Sequence, residues 1–298
     1  MLGTQRLFGI ISVSNARALA ATLAILWASP SGAQERMREQ AITPTTDVIK
    51  LFDGKSLDGF YSWMKDTGRE DPRQVFRVTD GMLHVTGDGL GGLLTTAEYR
   101  DYHVVFEFKW GPRTWNDRKE ATKDSGLLVH SVGADGGYSG TWMPSIEVQI
   151  IEGGMGDFIM VTGNDKNGKP VPFSLTCEVG RDRDGEVIWQ KGNAKEIFNL
   201  QNRKRINWYG RDPDWADKLG FRGKQDVDNL DGQWNRFDVY CDKGHIETFV
   251  NGVKVNEAFD VQPNYGRLQL QTEQAELFIR RWELWPIGKG PKPAKAAQ

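Results

Sequence analysis

The chain has two cysteines and four histidines in 298 residues. Cys177 and Cys241 stand far apart and form no Cys-x-x-Cys pair. That excludes a zinc knuckle and a disulfide-dense scaffold, and leaves open one disulfide between the two. Charge of one sign is also missing. Thirty-eight Lys and Arg against 40 Asp and Glu leave a formal net charge of -2, which argues against a nucleic-acid partner. There is no Walker loop, no Gly-x-Ser-x-Gly elbow and no His-Glu-x-x-His helix. "GDGLGG" at Gly87 to Gly92 is not followed by a helical pattern, so it reads as a turn between strands and not a phosphate cradle. Helical periodicity over a dozen residues is absent beyond the N-terminal segment, and no apolar run is long enough to span a bilayer. The apolar run Ala18 to Ala28, with Arg6 and Arg17 before it and the small residues Ser31 and Ala33 after it, reads as a signal peptide cleaved after Ala33. Export to a bacterial periplasm or beyond is therefore expected, with no membrane span left after cleavage.

What is present in excess is Trp, at 11, and Gly, at 34. Aromatics with many glycines suit a β-sandwich with tight turns, and Trp lines many sugar sites as well as cores. Most segments alternate with period two. "YHVVFEFKW" sets Tyr102, Val104, Phe106, Phe108 and Trp110 on one face, and "RFDVYC" sets Phe237, Val239 and Cys241 together. Asn251-Gly252 lies between two alternating runs, a strong two-residue hairpin signal. The expected fold class is all-β, an antiparallel sandwich or jelly roll. The expected organisation is a signal peptide over 1–33, a linker over 34–46, one sandwich domain over 47–287 and a disordered tail over 288–298, rich in Pro, Ala and Lys. The stretch 157–230 reads as long loops with short strands, where binding is often built.

Three strands offer polar residues to one face. "DSGLLVH" brings His130 together with Leu128, "SIEVQII" brings Glu147 and Gln149, and "RLQLQTE" brings Gln269, Gln271 and Glu273. Adjacent strands lie about 4.8 Å apart, so these side chains can meet. An imidazole beside a carboxylate among amides suits general acid–base work or a divalent cation held by Glu147 and His130. Asp124 and Ser125 open the first of these strands or form a turn. A conventional retaining glucanase needs two carboxylates on one strand face, and Glu147 and Glu152, five positions apart, point oppositely.

Six stretches occur in order: "LFDGKSLDGFYSW", "VTDGMLHVTGDGLGGLLTTAEYRDYHVVFEFKW", "DSGLLVH", "IEVQIIEGG", "GQWNRFDVYCDKGHIETFVNGVKV" and "GRLQLQTEQAELFIRRWEL". Together they resemble the 3-keto-disaccharide hydrolase family, also described as 3-keto-glucoside 1,2-lyases and 3-keto-2-hydroxy-glucal hydratases, over about Val48 to Pro286. The chain departs from that pattern where Asp124 replaces Asn, His130 stands for Arg, Ile146 replaces Tyr, and Glu273-Gln274 replace a His-Gly pair. The resemblance implies a concanavalin A-like jelly roll and a 3-keto-glycoside substrate. It implies proton abstraction at C2, elimination at C1 and hydration. On that reading Glu147 is the base or a metal ligand, and His130 is its partner. Gln149 and Gln271 bind sugar hydroxyls or polarise the ketone, Asp124 orients the site, and Trp142 and Tyr138 stack on a ring. The competing expectation is a lectin-like carbohydrate-binding module without catalysis, since the same fold serves both.

Overall fold

The computed structural model describes residues 32–298. The expected signal peptide lies almost wholly outside them. Seventeen strands follow in chain order. They are β1 Ile49–Lys50, β2 Phe60–Met64, β3 Phe76–Thr79, β4 Met82–Val85, β5 Leu90–Thr95, β6 Tyr102–Thr114, β7 Asp124–Ser131, β8 Ser145–Ile151 and β9 Phe158–Val161. Then come β10 Ser174–Arg181, β11 Val187–Trp189, β12 Lys195–Asn199, β13 Asn235–Asp242, β14 His245–Val250, β15 Val253–Gln262, β16 Arg267–Glu273 and β17 Ala275–Pro286. The chain is all-β, a jelly-roll sandwich of two antiparallel sheets. The smaller sheet has the order β2-β5-β16-β7-β8-β9, and the larger follows β11-β10-β15-β14-β13-β6-β17-β4-β3, with β1 and β12 paired to β17 and β10.

The alternation explains the sandwich. Tyr102, Val104, Phe106 and Phe108 of β6, Phe237 and Val239 of β13, and Trp282 of β17 enter the core from the larger sheet. Leu127 and Val129 of β7, Ile146, Val148 and Ile150 of β8, and Leu268 and Leu270 of β16 meet them from the smaller one. Phe106 packs edge-on to Trp282 at 5.5 Å and Phe108 to Phe237 at 5.0 Å, geometries that suit the ring quadrupoles. At the β14–β15 hairpin, Asn251 and Gly252 both have positive φ, 48° and 84°, as a two-residue turn between right-twisted strands requires.

The segment before the sandwich is partly helical: Gly32–Gln40 forms an α-helix, and Arg38 Nε donates to Asn264 Oδ1 at 2.9 Å. The tail has no regular secondary structure, but it lies against the larger sheet. Ala296 is buried, and Arg280 and Arg236 donate to the carbonyls of Ala297 and Lys292. Cys177 and Cys241 are both buried free thiols, so the possible disulfide is not formed. Among the described residues no helix is long and apolar enough to cross a membrane.

Candidate active-site cleft

The outward face of the smaller sheet is polar because each core residue alternates with a residue pointing away from the core. Register fixes the rows. Glu147 of β8 pairs with Leu128 of β7, which pairs with Gln269 of β16. One step along, Gln149 pairs with Gly126, and Gln271 pairs with Gly92 of β5. Asp124 pairs with Ile151, and Glu273 with Leu90. Over these rows lies a cleft of about 400 Å³, lined among others by Asp124, Tyr138, Trp142, Glu147, Gln149, Gln271 and Glu273. That volume suits a small sugar-sized ligand.

Gly126 makes the floor possible. A Cβ there would lie 2.4 Å from Glu147 Oε1 and 2.5 Å from Gln271 Oε1. The two side chains therefore converge over a strand position that must be bare. Gly126 has no positive φ, so alanine fits the backbone, and only the site is disturbed. We expect Gly126→Ala to lower turnover at least tenfold while near-UV circular dichroism stays native. An alanine variant at wild-type rate would show that this convergence is dispensable.

Three carboxyl groups share this space. Burial, with the negative charge of Asp124 added, pushes the Glu147 carboxyl up to about 8, against a partial offset from Arg205. Burial likewise raises Glu273 well above the ordinary range, with Asp124 and Glu147 adding to it. Asp124 rises only to about 6: burial lifts it, and Arg118 and Arg205 hold it down. Arg118 Nη2 pairs with Asp124 and lies 3.9 Å from Glu273 Oε1. Gln149 Oε1 accepts from the Ile150 amide at 3.1 Å, which leaves its NH2 for a ligand.

The aromatic side of the cleft is a tight loop. Tyr138 N donates to the Trp142 carbonyl at 2.8 Å, and the two rings stack with centroids 6.0 Å apart. Trp142 Nε1 donates to the Gly91 carbonyl at 2.9 Å, which pins the indole to β5. The basic side is Arg203, Lys204 and Arg205. Arg205 is held by the fully buried Asp157, which accepts from Arg205 Nε at 2.8 Å, from Arg211 at 2.6 Å and from the Trp208 amide at 2.6 Å. Sequence patterning missed Arg118, Arg205 and Asp157 because they sit in a single helical turn, a loop and just before a strand, where no periodicity tells which charge faces inward.

His130 is the correction. Simple alternation places it with Leu128 on the cleft face. The register instead shifts between Arg267 and Gln269, which pair with Ser131 and Leu128, so β7 carries one extra residue there. His130 takes up this bulge with φ 54°. Its ring goes to the core side, edge-on to Tyr102 at 6.1 Å. Burial pushes it down to about 4, so the ring is neutral. Glu147 and His130 are thus on different faces and cannot jointly hold a cation or exchange a proton. Among the described residues, the one set of three His, Cys, Asp or Glu groups with ligand atoms within 4.8 Å of one another is His245, Glu247 and Glu257. That set is on the larger sheet, and Lys254 already pairs with both glutamates at 2.6 and 2.8 Å. The proposed metal pair does not fit the cleft.

A β-sandwich with buried carboxyls, amides and an aromatic shelf in one cleft has the construction of a carbohydrate-active protein. The family model of the 3-keto-alpha-glucoside-1,2-lyase-like domain matches residues 47–284, and the chain belongs to that family. No curated protein matches the chain. Among solved structures it is similar to a Parabacteroides distasonis protein assigned to the glycosyl hydrolases, with 14% identity and a TM-score of 0.45 over 85% of this chain and 97% of that one. It is also similar to a Bacillus subtilis protein of unknown function with a galectin-like fold, with 10% identity and a TM-score of 0.42 over 83% of this chain and 97% of that one. A carbohydrate-binding module from Bacillus subtilis aligns with 11% identity and a TM-score of 0.36, over 67% of this chain and 85% of that one. None reaches a TM-score of 0.5, so the family assignment rests on the sequence match.

Proposed function

We propose that the protein cleaves 3-keto-glycosides by abstracting the C2 proton, expelling the C1 substituent and hydrating the product. A ketone at C3 acidifies C2–H. Glu147 takes that proton, and the electron pair passes into the C2–C3 enolate. As the enolate collapses, a C1=C2 double bond forms and the C1–O bond breaks. The leaving oxygen takes a proton from Glu273. Addition of water across C1=C2 completes a net hydrolysis.

The observation that carries this reading is the pair of carboxyls, Glu147 and Glu273, in one cleft, both raised by burial. A carboxyl raised toward the working pH can take a proton or give one, so one of the pair can act as base and the other as acid. Gln149 and Gln271, which line the same cleft, bind the ring hydroxyls and the C3 carbonyl oxygen in this reading. Asp124, neutralised by Arg118, orients the floor, and Tyr138 and Trp142 offer a ring face. No step passes through a metal. We propose further that the mature chain works outside the cytoplasm, after the N-terminal export signal is removed.

The direct test is purified protein with 3-keto-trehalose or a methyl 3-keto-glucoside, following release of the 3-keto sugar. Sugar binding without turnover of any keto-glycoside would favour a binding module instead. The pH profile adds a second check. Glu147 acts as base only when ionised, so kcat/KM should rise about tenfold per pH unit below 8 and level off above it. A flat profile between pH 6 and 9 would remove Glu147 from that role. The same shift acts on stability in the opposite sense. A carboxyl whose folded pKa lies above its unfolded value stabilises most below about 4.5, and this contribution is lost as pH rises toward 8.

A further inference from the structure

We propose that the cleft takes a sugar ligand carrying an anionic group, a carboxylate or a sulfate, bound by Arg203 and Lys204 at its rim. This rests on the carbohydrate reading of the same cleft and names the class of ligand it would select.

Three consecutive cations, Arg203, Lys204 and Arg205, line the cleft beside Ile159, Met160 and Val161 of β9. Their roles differ. Arg205 is spent on Asp157, at 2.8 Å. Arg203 donates to the Thr162 hydroxyl, a neutral acceptor. Among the described residues neither Arg203 nor Lys204 forms an ion pair, whereas the cleft charges Asp124 and Arg205 do, with Arg118 and Asp157. An exposed Arg or Lys alone is ordinary solvated surface. Two unpaired cations side by side on the wall of a ligand-sized cleft are a different case, because a ligand filling the cleft lies beside both of them.

The floor does not cancel their charge. Burial raises the Glu147 carboxyl to about 8 and shifts Glu273 in the same direction, which lowers the negative charge of the floor, and Asp124 is offset by Arg118. The charge left over is positive and lies at the rim. A plain glucosyl ring has nothing to satisfy it. A carboxylate or sulfate accepts charge-assisted hydrogen bonds from both side chains, and the guanidinium of Arg203 can bind it with two parallel bonds.

The test compares binding of methyl glucopyranoside, methyl glucuronopyranoside and methyl glucopyranoside 6-sulfate by NMR titration at low salt. Wild type should bind both anionic ligands roughly tenfold or more tighter than the neutral one. Added salt should shrink the ratio, and Arg203→Ala/Lys204→Ala together should bring it close to one. Equal affinity for all three ligands, no binding of any, or a ratio unchanged in the double variant would overturn the proposal. Turnover of methyl 3-keto-glucoside is measured separately. If that turnover is absent while the ratio holds, the lyase reading falls and the anion site stands. Turnover without the ratio means the reverse.

Discussion

Replacing Glu147 by Gln should lower kcat on a 3-keto-glycoside by about 10²–10⁴, the range a general base contributes. KM should change little, because the amide keeps the size and one acceptor of the carboxyl. The step can be read without cleavage. In deuterated buffer the wild type should exchange the C2 proton of a bound 3-keto sugar, and Glu147→Gln should not. His130→Asn is the matched control, since Asn also tolerates the left-handed backbone at that position. Its kcat should stay within about twofold of wild type, because the ring packs against Tyr102 in the core and touches no part of the cleft. Unchanged exchange in the Gln variant, or a collapse in the His130 variant at retained stability, would refute the division of roles.

The second large effect is expected far from any reacting atom. Asp157 has no solvent exposure and satisfies two guanidinium groups and one backbone amide. Removing it in Asp157→Ala leaves the half-buried Arg205 and Arg211 without their counter-charge, which costs up to about 3–5 kcal/mol, the range for a fully buried pair broken from one side. Urea unfolding should show that loss as a lower midpoint with an unchanged slope. The pH profile should move as well, because the charge of Asp157 adds to the burial that raises Glu147 while Arg205 offsets it. With Asp157 gone and the Arg205 charge unopposed, the Glu147 carboxyl falls and the profile shifts to more acidic values. A loss below about 1 kcal/mol with an unmoved profile would mean that the cluster is dispensable.

Much of this fold is legible in the chain itself. Period-two alternation in β6, β8, β13 and β16 names the core residues, because a strand between two layers has one face for each. Asn251-Gly252 names its own turn, since few residues accept positive φ at two successive positions. The same alternation places Glu147, Gln149 and Gln271 on the face away from the core, and the ladder register then brings them into one cleft with Asp124, Tyr138 and Trp142. The helix over Gly32–Gln40 is less legible: it is short, and the Arg38–Asn264 contact that ties it to the domain is announced by no local pattern. The seating of the tail on the larger sheet is hidden for the same reason, because Ala296 is buried by strands far away in sequence.

The strand bearing Glu147 was determined by the sequence alone: its pattern sets which side chains avoid the core. The partners of Glu147 were decided by tertiary structure. One extra residue in β7 turns His130 from the cleft to the core, because a bulge inverts the alternation of everything beyond it. Bare Gly126 lets Glu147 and Gln271 meet across it. Arg118 and Arg205 arrive from segments without periodicity, held by Asp124 and Asp157. Alternation is a property of neighbouring residues, whereas desolvation and charge pairing belong to residues brought together from a distance. The residue types of the site could therefore be read in order, and their proton affinities could not.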